Sequence, residues 1–286
     1  MESIAIITDT DASLPADIAA QYGIHQVPIN VHFGDETLAT GADIDDAQLF
    51  ARVDQEGKLP TTSAPSPGQF AEAYEAALSA GAEQIVCLCV SSKVSATYGA
   101  AVVARDMFPD HEIAVVDTQT LSMAQGFMAM AGAEAAQSGA GLEEIVARTH
   151  EVGARTCLYA ALATVKYLAM SGRVSHLAAG MATLLNVKPI LTVEKGKLDL
   201  LERVRTQKKS WARVVELTAQ ALQERTVEQI AIIHVDAPEQ ARQFEQQVRA
   251  ELACPEEIIV AELTPGLSIH SGAGMVGVVA VAGEPG

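Results

Sequence analysis

The stretch SSKVSATYGAA, residues 91–101, gathers four hydroxyl side chains, Ser91, Ser92, Ser95 and Thr97, within seven positions. Hydroxyls at that density suit several kinds of chemistry. A serine beside a base attacks a carbonyl, and Ser95 with His270 of SIHSGAG would make such a pair for an esterase or acyl transferase. Neutral hydroxyls at the start of a helix instead hold a carboxylate or phosphate, because they donate hydrogen bonds without bringing a hydrated charge of their own. A third role is to cap the helix that follows. The nucleophile reading lacks the usual G-x-S-x-G turn, which does not occur in the chain.

Other donors belong to the same set. KLPTTSAPSPGQF, residues 58–70, has three prolines and four hydroxyls and reads as an ordered loop that presents Thr61, Thr62 and Ser63 and ends at a helix cap near Ser66. Arg173 in MSGRVS and Arg203 and Arg205 in ERVRTQKK are the cations that could face an anion; a solvated surface is the alternative for each. Asp9, at the end of the first strand, is expected to brace neighbouring loops rather than act as a base. His25, His32, His111, His150, His176 and His234 show no metal-ligand spacing, and no metal or cofactor is expected. GAGMVG, residues 272–277, matches the dinucleotide fingerprint but has no βαβ unit after it, so a Gly-rich turn over His270–Gly274 leading into a final strand is expected. No P-loop motif is present.

The elements that position these residues read as α/β. SIAIITDT, QIVCLCVSS and EIAVVDT are short apolar runs, each followed by a helical pattern, as in parallel strands with crossover helices. In such sheets ligands gather beyond the carboxyl ends of the strands. Thr8, Asp9 and Thr10, then Ser91 and Ser92, then Asp117 and Thr118 occupy those ends, so their loops converge. After QSGAGLEEI the pattern changes to a hairpin turning near Lys195 and Gly196, an amphipathic helix, and strands EQIAIIHVD and EEIIVAELT around another helix. The expectation is two lobes: residues 1–152 with a parallel sheet and 153–286 with a mixed sheet.

The 286 residues carry 19 basic and 36 acidic side chains, a formal charge of −17, which repels nucleic acid and anionic lipid surfaces alike. Any anionic ligand must be held by local donors. Cys87, Cys89, Cys157 and Cys254 have neither C-x-x-C nor zinc spacing and read as reduced thiols, which fits a cytoplasmic protein. Neither a signal peptide nor a membrane span is expected.

Eight stretches together, IITDTDASLP, PTTSAPSPGQF, SSKVSATYGAA, VVDTQTLSMAQG, LAMSGRVS, LLNVKPIL, RVRTQKK and IHSGAG, resemble in order the DegV family of bacterial fatty-acid-binding proteins. The resemblance implies two α/β lobes with a lipid tunnel between them. It implies a long-chain fatty acid ligand of C14–C18, such as palmitate, stearate or oleate, and a partner fatty acid kinase that phosphorylates the presented carboxylate, the carrier itself doing no chemistry. Carried onto this chain, the carboxylate falls to Thr62, Ser63, Ser95 and His270, and the kinase encounter to Arg205 and His270. Arg173, Ser92 and Asp9 are left as ligand or structural residues. Ala96 stands where the family's SGTY has a glycine, and Ala273 where a proline is frequent. The helical stretches GFMAMAGA (126–133) and AAGMATLL (178–185) are expected to wall the tunnel. A polar rather than greasy pocket would instead point to a sugar- or triose-phosphate binder related to dihydroxyacetone kinases.

Overall fold

The computed structural model describes residues 3–171 and 187–284. Arg173, His176 and the stretch 178–185 lie outside the described residues. A four-stranded parallel sheet runs β2 (His25–Val27), β1 (Ile4–Asp9), β6 (Gln84–Cys89), β7 (Glu112–Asp117). The strands β1 and β6 are almost unbroken apolar runs because both faces of the sheet are covered. On one face lie α3 (Pro67–Ser79) and α4 (Thr97–Arg105), where Phe70, Tyr74, Ala101 and Ala104 pack against Ile7, Ile85 and Cys87. On the other lie α5 (Met123–Gln137) and α6 (Leu142–Arg155), with α1 (Ala16–Tyr22) at the side of α5.

A second, six-stranded sheet runs β10 (Lys197–Val204), β9 (Lys188–Glu194), β8 (Thr156–Ala161), β13 (Val276–Ala282), β11 (Val227–His234), β12 (Ile259–Glu262). Only the β11–β12 pair is parallel. Its outer face carries α8 (Gln207–Leu222) and α9 (Pro238–Glu251), packed through Val214, Val215, Phe244 and Val248. Its inner face meets α5 and α6, so α5 is enclosed by two sheets. That explains its composition: every residue from Met123 to Ala133 is buried, and a helix apolar on all sides is stable only when surrounded. One core cluster extends from Ile6 of the first sheet through Phe127 and Met128 of α5 to Val279 of the second.

Three smaller pieces complete the frame. The antiparallel strands β4 (Glu36–Ala39), β3 (Asn30–Phe33) and β5 (Thr61–Ser63) form a separate sheet beside α2 (Asp46–Glu56). Sequence reading takes 58–70 as a loop; Thr61–Ser63 instead pairs with β3, and the predicted cap at Ser66 is present, its hydroxyl accepting from the Gln69 N–H. α7 (Lys166–Ser171) and α10 (Pro265–Ser271) are short and adjoin each other. The hairpin β9–β10 turns at Lys195–Gly196 as expected, both with positive φ (50° and 81°), the two-residue turn whose twist suits a hairpin.

Candidate functional site

Beyond the carboxyl ends of the parallel strands, between them and the inner face of the six-stranded sheet, lies a cavity of ≈ 370 Å³. That is within the range of small-molecule sites. One end is polar. Thr62 and Ser63 reach it from β5, Ser95 and Ala96 from the loop before α4, and His270 and Ser271 from the end of α10. The wall is apolar: Leu158 and Ala160 from β8, Leu162 after it, Leu191 from β9, Leu198 from β10 and Ile233 from β11.

Each donor is held by a local device. His32 grips the Ser63 Oγ through Nε2 (2.8 Å), while its Nδ1 meets Thr37 Oγ1 (2.9 Å), so the three-stranded sheet fixes that hydroxyl. Ser95 Oγ accepts from the Thr97 N–H (3.3 Å) and pairs with Thr97 Oγ1 (2.8 Å). The helix-cap position is not a hydroxyl residue but Ala96, which makes no side-chain cap; Ser95 supplies an acceptor from one residue earlier. When Thr97 donates to Ser95, the Ser95 proton remains for a ligand. Thr62 Oγ1 and His270 Nε2 are 3.4 Å apart, at the long limit of a hydrogen bond.

His270 does not sit in a Gly-rich turn. It lies in the last turn of α10, and the turn begins at Gly272, whose φ of 81° and ring contact explain the glycine: a Cβ there would stand 2.2 Å from Tyr167. α10 is anchored to α2 by the Ser268 hydroxyl, which donates to Asp46 Oδ2 (2.7 Å). Burial away from water pushes the Asp46 carboxyl up to about 8, with Glu262, Asp236 and Asp45 adding to the rise.

Asp9 and Ser92 lie outside the cavity lining and serve the loops that form it. Asp9 is fully buried and accepts from the N–H groups of Val90 (2.7 Å) and Asp11 (3.0 Å), joining the loops after β6 and β1. Desolvation raises its carboxyl to about 6, against the pull of those donors. Ser92 donates through its hydroxyl and its N–H to Asp117. Arg205 is exposed just past β10 and does not line the cavity either. No hydrogen bond joins Ser95 to His270.

Several lining residues escape sequence reading. GFMAMAGA does not line the cavity; it is the part of α5 shut between the sheets, and the wall comes instead from strand faces that alternate Leu158, Ala160 and Leu191 inward. Asp11 and Ser122 also line it, and the Ser122 N–H donates to the Asp11 carbonyl (2.7 Å). Ser122 has φ 55° and ψ −153°, a backbone region that is essentially glycine's. At the edge, Gly196 of the hairpin accepts from the buried Ser91 hydroxyl (2.7 Å), seating the β9–β10 tip on the hydroxyl loop. A side chain at Gly196 would place its Cβ 2.7 Å from that Oγ. Among the described residues no cluster suits a metal ion, and no helix is long and apolar enough to cross a membrane.

The match to known proteins covers nearly the whole chain. A family model described as uncharacterised proteins of the DegV family matches residues 3–283. A DegV domain-containing protein of Streptomyces coelicolor is 37% identical over 276 residues, 96% of this chain and 97% of that one. A second, from Caldanaerobacter subterraneus, is 32% identical over 97% of this chain and 98% of its own. Among solved structures, a DegV family protein of Thermus thermophilus described as binding fatty acid superposes with a TM-score of 0.88 at 29% identity, covering 98% of this chain and 99% of that one. DegV of Bacillus subtilis, described as a fatty acid binding protein, gives 0.87 at 27% identity over 99% and 100%. With a family model matching residues 3–283 and a relative 37% identical across 96% of its length, the chain belongs to the DegV family.

Proposed function

We propose that this protein binds a long-chain fatty acid of C14–C18 in the cavity between its sheets and presents the carboxylate to a partner fatty acid kinase, which forms the acyl phosphate. The observation that carries the reading is the polarity of the cavity: hydroxyls and one imidazole at one end, leucines and isoleucine along the rest. A C16 chain has ~14 methylenes, and at ~0.8 kcal/mol each their burial contributes on the order of 11 kcal/mol before ordering costs. Affinity therefore comes from the wall, and orientation from Thr62, Ser63, Ser95 and His270. The carboxylate takes the place of the long Thr62–His270 contact and accepts from both groups and from the Ser95 hydroxyl. Among the described residues no lysine or arginine lines the cavity, so hydroxyl and imidazole donors hold the carboxylate. Arg205, exposed beside the cavity edge strand, is assigned to the encounter with the kinase. The fatty acid binding described for the Thermus and Bacillus relatives supports the ligand class.

Denaturing mass spectrometry of the purified protein checks the reading: it should release close to one equivalent of a C14–C18 acid. Protein that arrives empty and takes up no palmitate, stearate or oleate would overturn it. The esterase alternative needs Ser95 activated by His270, and the structure pairs Ser95 with Thr97 instead. A fluorophosphonate adduct on Ser95 would revive it. A triose-phosphate binder would need a polar wall where Leu158, Leu191 and Ile233 stand.

A further inference from the structure

A second cavity, of ≈ 210 Å³, opens on the outer face of the six-stranded sheet, under α8. It is lined by Lys188 at the start of β9, Gln207 and Ser210 on the first turn of α8, Trp211 beside them, and Gln240 of α9. Leu162 lines both cavities, one on each side of the sheet. Two side chains that the first cavity does not use, Lys188 of KPIL and Gln207 of RTQKKS, meet here.

The chemistry of the lining is that of an anion site. The Lys188 side chain is half-buried, its Nζ donates to the Ala163 carbonyl (2.7 Å), and no carboxylate of the described residues pairs with it. A half-buried ammonium ordinarily has a counter-charge, and this chain has acidic residues in excess. Its immediate sequence is the opposite: from 188 to 209 there are seven basic residues against three acidic, and of those three Glu202 is taken by Arg213. Gln207 and Gln240 add amide donors, and the N-terminal end of the 16-residue α8 favours negative charge at the same spot. Donors from β9, α8 and α9 reach the space from several directions, which matches the three or four oxygens of a phosphate better than the two of a carboxylate.

We propose that this cavity is a binding site for a small phosphate-bearing ligand, with Lys188 as its charge and Trp211 as its wall. The site does not rest on the fatty-acid reading, since it lies across the sheet and shares only Leu162 with the first cavity. Two sources of the phosphate are possible, the free ion or the end of a phosphate monoester, and the face of Trp211 separates them, because an aromatic ester gains a stacking partner that the ion does not.

Trp211 is the only tryptophan of the chain, so intrinsic fluorescence reads the site directly. Inorganic phosphate and phenyl phosphate are titrated into the full-length protein at constant ionic strength, with sodium chloride as the control and calorimetry as a second readout. A saturable change at millimolar or lower concentration with either probe, absent with chloride, is expected. Tighter binding of phenyl phosphate identifies a monoester site, and equal binding identifies a free-phosphate site. Lys188→Gln should weaken the response about 10- to 100-fold, the scale of a hydrogen bond to a charged group, while retained fatty acid is unchanged. Should that variant not fold, Gln240→Leu tests the same wall from α9, where several-fold weakening is expected. A linear, chloride-like response with no calorimetric heat, or binding untouched by both variants, overturns the proposal.

Discussion

The two ends of the cavity between the sheets are built by different means. The polar end comes from loops: Ser95 beyond β6, Thr62 and Ser63 on a three-residue strand, His270 at the end of a seven-residue helix. The apolar wall comes from regular strands, where alternation alone turns Leu158 and Ala160 inward and leaves Tyr159 to the other side. Loops can aim individual donors but must be braced, and the bracing is costly: Asp9 and Asp46 are buried carboxyl groups, and Ser122 holds a glycine-like backbone. Strands need no such devices. The wall is therefore tolerant in composition and decisive in energy, whereas the polar end is exacting in geometry and modest in energy.

That contrast can be tested from both sides. The largest effect is expected from placing a charge on the wall. Leu191→Glu should abolish fatty acid retention, at least 100-fold, since an unpaired carboxylate would face the alkyl chain; mass spectrometry of the purified variant reads it. If that variant is unstable, Leu198→Gln, at a half-buried position, should lose ligand in the same sense. Next comes the brace. Asp9→Ala leaves the Val90 and Asp11 N–H groups buried without acceptors and should cost on the order of 2–4 kcal/mol of stability, seen as a lowered Tm. A variant that keeps its Tm would show that the loops hold themselves.

Single donors rank lower. Thr62→Ala and Ser95→Ala should each weaken palmitate binding by about tenfold or less, the worth of one hydrogen bond, and should slow kinase turnover more than they lower affinity. The last effect is electrostatic and depends on pH. Folded Asp46 holds its proton up to about pH 8, whereas the unfolded group releases it near 3.8, so the folded state binds more protons in between and stability falls as pH climbs through that window. Asp46→Asn, which keeps an acceptor for Ser268, should match the parent at pH 4 and exceed it increasingly toward pH 9. Calorimetric Tm values at three pH settings would show whether the gap widens.

Sequence patterning makes the frame legible because its signals are local. The alternation of apolar runs and helical stretches marks β1, β6 and β7 with their crossovers, and the Lys195–Gly196 turn marks the β9–β10 hairpin. Thr62, Ser63, Ser95 and His270 are legible as a set, and the fold does bring them to one cavity. Its wall is not legible, for a physical reason. Leu158, Leu191 and Ile233 are ordinary strand leucines and isoleucine whose inward facing depends on which sheet lies opposite. By contrast GFMAMAGA looks like a lining helix for the same reason that it is not one: small and apolar residues all round suit a helix touched by protein on every side. The strand at Thr61–Ser63 hides among prolines, since pairing with β3 overrides the local turn signals.

The enclosure of α5 has a consequence for how the molecule comes into being. A helix with no polar side cannot wait exposed beside a finished first sheet while the ribosome supplies the second; until β8, β13 and β11 arrive, one flank of Phe127, Met128 and Met130 is bare to water. Because β13 follows the other described strands in sequence and sits in the middle of its sheet, that cover is completed only after β11 and β12 have been made. Two sheets that look like separate bodies are thereby bound to a single cooperative transition, and the nascent chain must pass through an aggregation-prone stage before β13 is made.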